Sequence, residues 1–125
     1  MYPCPCCGYE VFAGPPGTYE ICPICFWEDD LVQLAFPDLA GGANKCSLIE
    51  AQQNFERVGV CEPRFKDQVR SPNASDKRDA RWRRLQPATD RYLKQERSED
   101  HQKWQAVKDL CDVCLYYWLP EYWLT

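Results

Sequence analysis

Apolar side chains return at helical spacing over residues 48–58, where Leu48, Ala51, Phe55 and Val58 fall on one face. Ser47 stands just ahead of this run and Glu50 three positions on, a capping-box pattern, and Gly59 supplies a stop. The pattern predicts a helix from about 48 to 58. A second stretch places Trp104, Val107, Leu110 or Cys111, Cys114 or Leu115, and Trp118 on one face. Thr89 or Asp90 can cap this last helix, and Pro120 ends it. Near the start the pattern changes. Tyr9-Glu-Val-Phe12 and Thr18-Tyr-Glu-Ile21 carry strand-favouring side chains on either side of Gly14-Pro-Pro-Gly17, which predicts a hairpin and its turn.

Between these elements the signals are local. Glu28-Asp-Asp30 suits a helix N-terminus, with Leu31, Leu34 and Ala35 giving one or two turns before Pro37. Residues 60–87 are punctuated by Pro63, Pro72 and Pro87, with Phe65, Val69, Trp82 and Leu85 as anchors to a core. The fold class that follows is α+β: a small N-terminal β-hairpin packed with several α-helices. The length of 125 residues fits one domain. Residues 1–44 form its ribbon part, and residues 45–125 a mainly helical part with a long C-terminal helix.

Four cysteines change the picture most. Cys4-Pro-Cys-Cys7-Gly8 and Cys22-Pro-Ile-Cys25-Phe26 are two copies of one local design. A Cys-x-x-Cys turn lets two thiolates converge on one ion at ~2.3 Å. Two strands and a turn between Cys7 and Cys22 bring both units to one end of a hairpin. Cys4, Cys7, Cys22 and Cys25 then close a tetrahedral shell around a single structural Zn²⁺ and leave no position for substrate. Cys6 is the alternative to one member of the first pair, and spacing favours Cys4 with Cys7. Cys46, Cys61, Cys111 and Cys114 either take a second metal or act as small core hydrophobes.

Other chemistry is thin. His101 is the single histidine and lies in a charged stretch. No Ser-His-Asp set and no Gly-rich phosphate loop is present, so the expected protein is not an enzyme. There is no apolar run of ~18 residues and no secretory pattern ahead of the first cysteine, which predicts a cytoplasmic protein with no membrane contact. The net charge of −4 is uneven. Residues 1–56 carry eight acidic residues against one basic, residues 57–97 twelve basic against six acidic, and residues 98–125 five acidic against two basic. Interspersed acids make the middle block read as a solvated face. A nucleic-acid patch would use Arg78, Arg81, Arg83, Arg84 and Arg91 on phosphates, with Trp82 stacking.

Tyr2-Pro-Cys-Pro-Cys-Cys-Gly8, Tyr19-Glu-Ile-Cys-Pro-Ile-Cys-Phe-Trp-Glu-Asp-Asp30, Gly41-Gly-Ala-Asn44 and Ser47-Leu-Ile-Glu-Ala51 with Asn54-Phe55 resemble the bacterial CPCC cysteine-rich family. The likeness runs over roughly residues 2–84, including Arg70-Ser-Pro72 and Arg78-Asp-Ala-Arg-Trp82, and stops near residue 85. It implies a small zinc-ribbon-like protein, and some similar proteins are immunity partners of polymorphic toxins. The expected function is a non-catalytic, zinc-stabilised binding protein that neutralises a cognate toxin; a nucleic-acid-associated ribbon is the alternative. The expected contact residues are the acidic Glu28, Asp29 and Asp30 and the aromatic Tyr117, Tyr122 and Trp123, since acids can plug a site for anionic substrate and Tyr and Trp anchor interfaces. The aromatic tail also reads as a segment docked on its own core.

Overall fold

The chain reverses direction at each pair of cysteines, and each reversal sets the strands beside it. In the computed structural model the structure describes residues 1–107, 115–120 and 122. Strand β1 (Tyr2–Pro3) pairs antiparallel with β2 (Glu10–Phe12), Tyr2 opposite Phe12 and Pro3 opposite Glu10, with an irregularity between the first two residues. The other edge of β2 is used as well. The Glu10 amide donates to the Lys77 carbonyl at 2.8 Å, and Tyr9 bridges Arg78.

This corrects the expected pairing of residues 9–12 with residues 18–21. The second segment instead lies along residues 27–29: the Asp29 amide donates to the Glu20 carbonyl at 2.9 Å, and the Cys22 amide to that of Trp27 at 2.8 Å. A tight turn brings its own two arms together within a few residues, so the local partner is reached at lower loop-closure cost than a distant one. The fold class is nonetheless α+β: a small two-stranded N-terminal hairpin with several helices.

Helix α1 (Leu31–Ala35) follows the acidic run, as expected. Asp30 is its N-cap, accepting from the amides of Val32 at 2.9 Å and Gln33 at 3.2 Å. Helix α2 (Leu48–Val58) has the expected capping box, with Ser47 and Glu50 each accepting from the other's amide, and ends at Gly59 with φ 79°. Leu48 and Ala51 are buried while Phe55 and Val58 are half-buried. A 3-10 helix (Pro63–Gln68) follows, and Phe65, Trp82 and Leu85 reach the core as expected.

Helix α3 (Ser98–Val107) starts well after the expected caps Thr89 and Asp90. The Asp90 carboxylate is committed to Arg83 at 2.6 Å and to the Gln86 amide at 2.7 Å, which closes a turn rather than opening a helix. Trp104 on α3 is buried and meets the Phe36 ring edge-on at 6.4 Å. Leu110, Cys111, Cys114 and Trp123 lie outside the described residues. Leu115 and Trp118 are buried, but in turns and not on a helix face. The aromatic tail is pulled inward by hydrogen bonds: the Tyr116 hydroxyl donates to the Pro3 carbonyl at 3.2 Å, and Tyr117 accepts from Gln52 Nε2 at 3.1 Å while donating to the Arg83 carbonyl. Trp27, Phe12, Phe36, Leu34 and Leu48 complete a core that surrounds the cysteines. Among the described residues no helix is long and apolar enough to cross a membrane.

Candidate metal centre

Both cysteine turns are built by the same two backbone hydrogen bonds. In the first, the Cys4 amide donates to the Tyr9 carbonyl at 2.8 Å and the Gly8 amide to that of Cys4 at 2.7 Å. In the second, the Cys22 amide donates to Trp27 at 2.8 Å and the Phe26 amide to Cys22 at 2.9 Å. The residue after the second cysteine is left-handed in each, Gly8 at φ 81° and Phe26 at φ 70°. Proline after each first cysteine holds its own φ near −65° and stiffens the turn. Two such turns present four sulfurs to one point.

Cys4, Cys7, Cys22 and Cys25 are fully buried, and their Sγ atoms all lie within 4.8 Å of one another. Cys4 and Cys25 are 3.6 Å apart and Cys7 and Cys22 3.7 Å. A tetrahedron with metal–sulfur bonds of ~2.3 Å has edges of about 3.8 Å, so these separations fit one ion between the turns. They are far from the ~2.05 Å of a disulfide. The donor set is therefore suited to a single thiophilic metal ion.

The protonation of the group points the same way. Burial drives the Cys4 and Cys25 thiols well above their ordinary range, while hydrogen bonds from Cys25, Cys4 and Cys7 hold Cys22 far below it. The amides of Ile24 and Cys25 each donate to Cys22 Sγ at 3.4 Å. Four thiolates this close repel strongly in a dry interior, and a dication between them removes that cost.

The turns are braced from outside. Arg78 Nε donates to the Cys7 carbonyl at 2.8 Å, and Gln52 Nε2 and Trp82 Nε1 both donate to the Pro5 carbonyl at 2.9 Å. The Cys61 amide caps the Cys25 carbonyl at 2.8 Å, and the Arg70 amide caps that of Pro23 at 3.1 Å. Gly8 lies so close under the Trp82 ring that a Cβ there would stand 2.6 Å from it. Sequence reasoning missed these braces. They join positions dozens of residues apart, and no local pattern marks them.

The remaining candidates fall elsewhere. Cys6 is buried and stands outside the four-sulfur group, and burial raises its thiol. Cys46 donates from Sγ to the Cys61 carbonyl at 3.6 Å and is pushed up to about 12, and burial also raises Cys61. These are buried core side chains. Among the described residues the only group placed to hold a metal is the four-cysteine set.

The acidic contact residues need correction. Asp29 is 1% exposed and Asp30 6%, so neither offers a surface. Asp29 accepts from the Gly17 and Thr18 amides and the Thr18 hydroxyl at 2.8–3.0 Å, and burial still raises its carboxyl. Asp30 caps α1 and accepts from the Ala43 amide at 2.9 Å. Glu28 is half-buried, and its backbone is clasped by the Asn44 side chain, which accepts from the Glu28 amide at 2.9 Å and donates to its carbonyl at 2.8 Å. Tyr117 is fully buried, and Tyr122 is half-buried with its hydroxyl accepting from the Leu93 amide at 3.2 Å. Their placement follows from the carbonyls and amides of the core that need partners. His101 is exposed, with Nε2 on the Gln95 carbonyl at 2.6 Å and its ring stacked on Phe36.

The fold and the site together define a small α+β protein organised around a buried, metal-competent pair of Cys-Pro-x-Cys turns. The chain belongs to the family described as Cysteine-rich CPCC, whose profile matches residues 2–76, more than half of its length. A comparison with curated proteins gives no match.

Proposed function

We propose that the protein is a non-catalytic binding protein whose four cysteines hold one structural Zn²⁺, and that its partner is a cognate toxin which it neutralises. The observation that carries this reading is the saturation of the site. Four buried sulfurs at tetrahedral separations leave no coordination position for water or substrate. Zinc suits a closed four-thiolate shell because it has no redox chemistry and no geometric preference of its own. Its contribution of ~10–16 kcal/mol matches or exceeds the ~5–15 kcal/mol net stability of a typical domain.

A rigid platform of this kind supports recognition. Tyr19 at 60% and Ile21 at 47% exposure stand on the arm of the second turn. They are a better contact surface than the buried acids, since tyrosine is favoured at interfaces. Support for a toxin as the partner comes from the family likeness alone. The test is co-expression with the product of the adjacent gene: growth rescue and co-purification support the reading, and neither binding nor protection defeats it. Elemental analysis of the same preparation tests the zinc.

The nucleic-acid alternative meets an obstacle in the middle block. Arg70, Arg81, Arg83 and Arg84 pair with Asp76, Asp79, Asp90 and Glu56, which cancels much of the positive charge. Trp82 has Gly8 packed against its ring and the Arg78 guanidinium 4.6 Å from its centroid, which leaves little room for a base to stack.

A further inference from the structure

An open groove of about 450 Å³ runs behind the first cysteine turn, lined by Gln52, Phe55, Glu56, Arg78, Trp82, Arg84 and Gln86. Its lining carries two guanidinium groups and one carboxylate. Arg84 is spoken for, because it pairs with Glu56. Arg78 is different. Its Nε is fixed on the Cys7 carbonyl, and its guanidinium sits 4.6 Å from the Trp82 centroid, 5.3 Å from Tyr9 and 6.0 Å from Phe55. Among the described residues its two Nη groups have no hydrogen-bond partner and no carboxylate. A guanidinium is a planar fork made for bidentate pairing with an oxyanion, and here it is held in place by three rings and a carbonyl before any ligand arrives.

We propose that this groove binds a carboxylate monoanion with an apolar stem, its two oxygens on the Arg78 Nη groups and its stem against Phe55. Charge selects the anion. The lining has a net charge of +1, which a carboxylate balances, whereas a phosphate dianion would bring a second negative charge beside Glu56. The wall selects the stem, because half-buried Phe55 offers apolar surface that a bare anion cannot use. The volume lies in the ordinary range for small-ligand sites. A free small acid and an acidic side chain on a peptide share this chemistry. The site is independent of the toxin reading above.

The test follows the Trp82 indole and Arg78 Nε–H resonances by nitrogen-correlated NMR on the metal-loaded chain. Four probes are titrated: 4-phenylbutyrate, 4-phenylbutanol, inorganic phosphate, and N-acetyl-Phe-Glu amide. The two carboxylates should give saturable shifts, and whichever binds tighter names the source; the alcohol and phosphate should bind at least tenfold more weakly. Arg78→Lys keeps a charge but loses the fork and should weaken carboxylate binding at least tenfold. Because Arg78 also braces Cys7, Glu56→Gln serves as a second variant at an exposed position. It frees Arg84, raises the lining to +2, and should tighten both carboxylate and phosphate several-fold. Equal binding of the alcohol, equal binding of phosphate to the unaltered chain, no binding of either carboxylate, or affinities unmoved by Glu56→Gln would each overturn the proposal.

Discussion

The two cysteine turns share their backbone hydrogen bonds and contribute two sulfurs each, yet they are supported differently. The first is braced mainly by side chains: Arg78, Gln52 and Trp82 reach the carbonyls of Cys7 and Pro5, Trp82 packs on Gly8, and one backbone amide, that of Asp79, caps the Gly8 carbonyl at 2.8 Å. The second is braced by backbone: the amides of Cys61 and Arg70 cap Cys25 and Pro23. Phenylalanine occupies its left-handed position, where glycine stands in the first, and the Phe26 ring lies 4.4 Å from Phe65. A conformation that costs a non-glycine residue about 1–2 kcal/mol is held there by ring packing. The lesson is that one metal site can rest on two kinds of scaffold. One is open to disruption at single side chains, and the other depends on the course of the main chain.

Loss of a ligand should erase this contrast. Cys4→Ser and Cys22→Ser remove a sulfur from different turns but the same shell, so both should yield metal-free protein and cost on the order of 10 kcal/mol of metal-derived stability. Metal analysis and thermal melts check this, and one ion per chain in either variant would break the four-sulfur assignment. Gly8→Ala probes the first turn alone. A Cβ 2.6 Å from the Trp82 ring at φ 81° combines overlap with backbone strain, for an expected loss of ~3 kcal/mol in chemical denaturation. A loss below 0.5 kcal/mol would mean the close approach is not there.

At the equivalent position of the second turn the comparison is sharper. Phe26→Ala and Phe26→Gly both lose the contact with Phe65, but only alanine keeps the left-handed strain. Glycine should therefore be the more stable of the two by about 1 kcal/mol. Equal stability would indicate that the turn relaxes when the ring is removed. The smallest effect concerns the segment that runs up to Arg78 beside the first turn. The Arg70 guanidinium and the Asn73 amide hold the Asp76 carboxyl at about 2. A depressed carboxylate contributes stability that is complete above its unfolded value near 3.9 and fades as pH falls through 2. Asp76→Asn should remove that contribution, lowering stability slightly at neutral pH and flattening the acid limb in pH-dependent melts, with the two chains converging below pH 2.

What could be read in the sequence was local. Ser47, Glu50 and Gly59 announced α2 because a cap and its partner lie within one turn of each other. The cysteine quartet was legible for the same reason, since each Cys-x-x-Cys is a complete half-site. Strand pairing was not, because residues 9–12 and 18–21 carry no mark of which neighbour each will take. Glu28-Asp-Asp30 read both as a helix start and as a contact surface; Asp30 meets the first reading at the amides of residues 32 and 33, and only the fold shows that the amides of residues 17, 18 and 43 need the other oxygens. The arginines give the same lesson in reverse. Composition shows a basic block, whereas position shows most of its guanidiniums paired and Arg78 left with open Nη groups.

Zinc-edge X-ray absorption on the purified chain addresses the ion directly. The account predicts a first shell of four sulfurs at about 2.3 Å with no lighter atom in it. A shell containing nitrogen or oxygen, or a folded chain with no zinc edge at all, would contradict it.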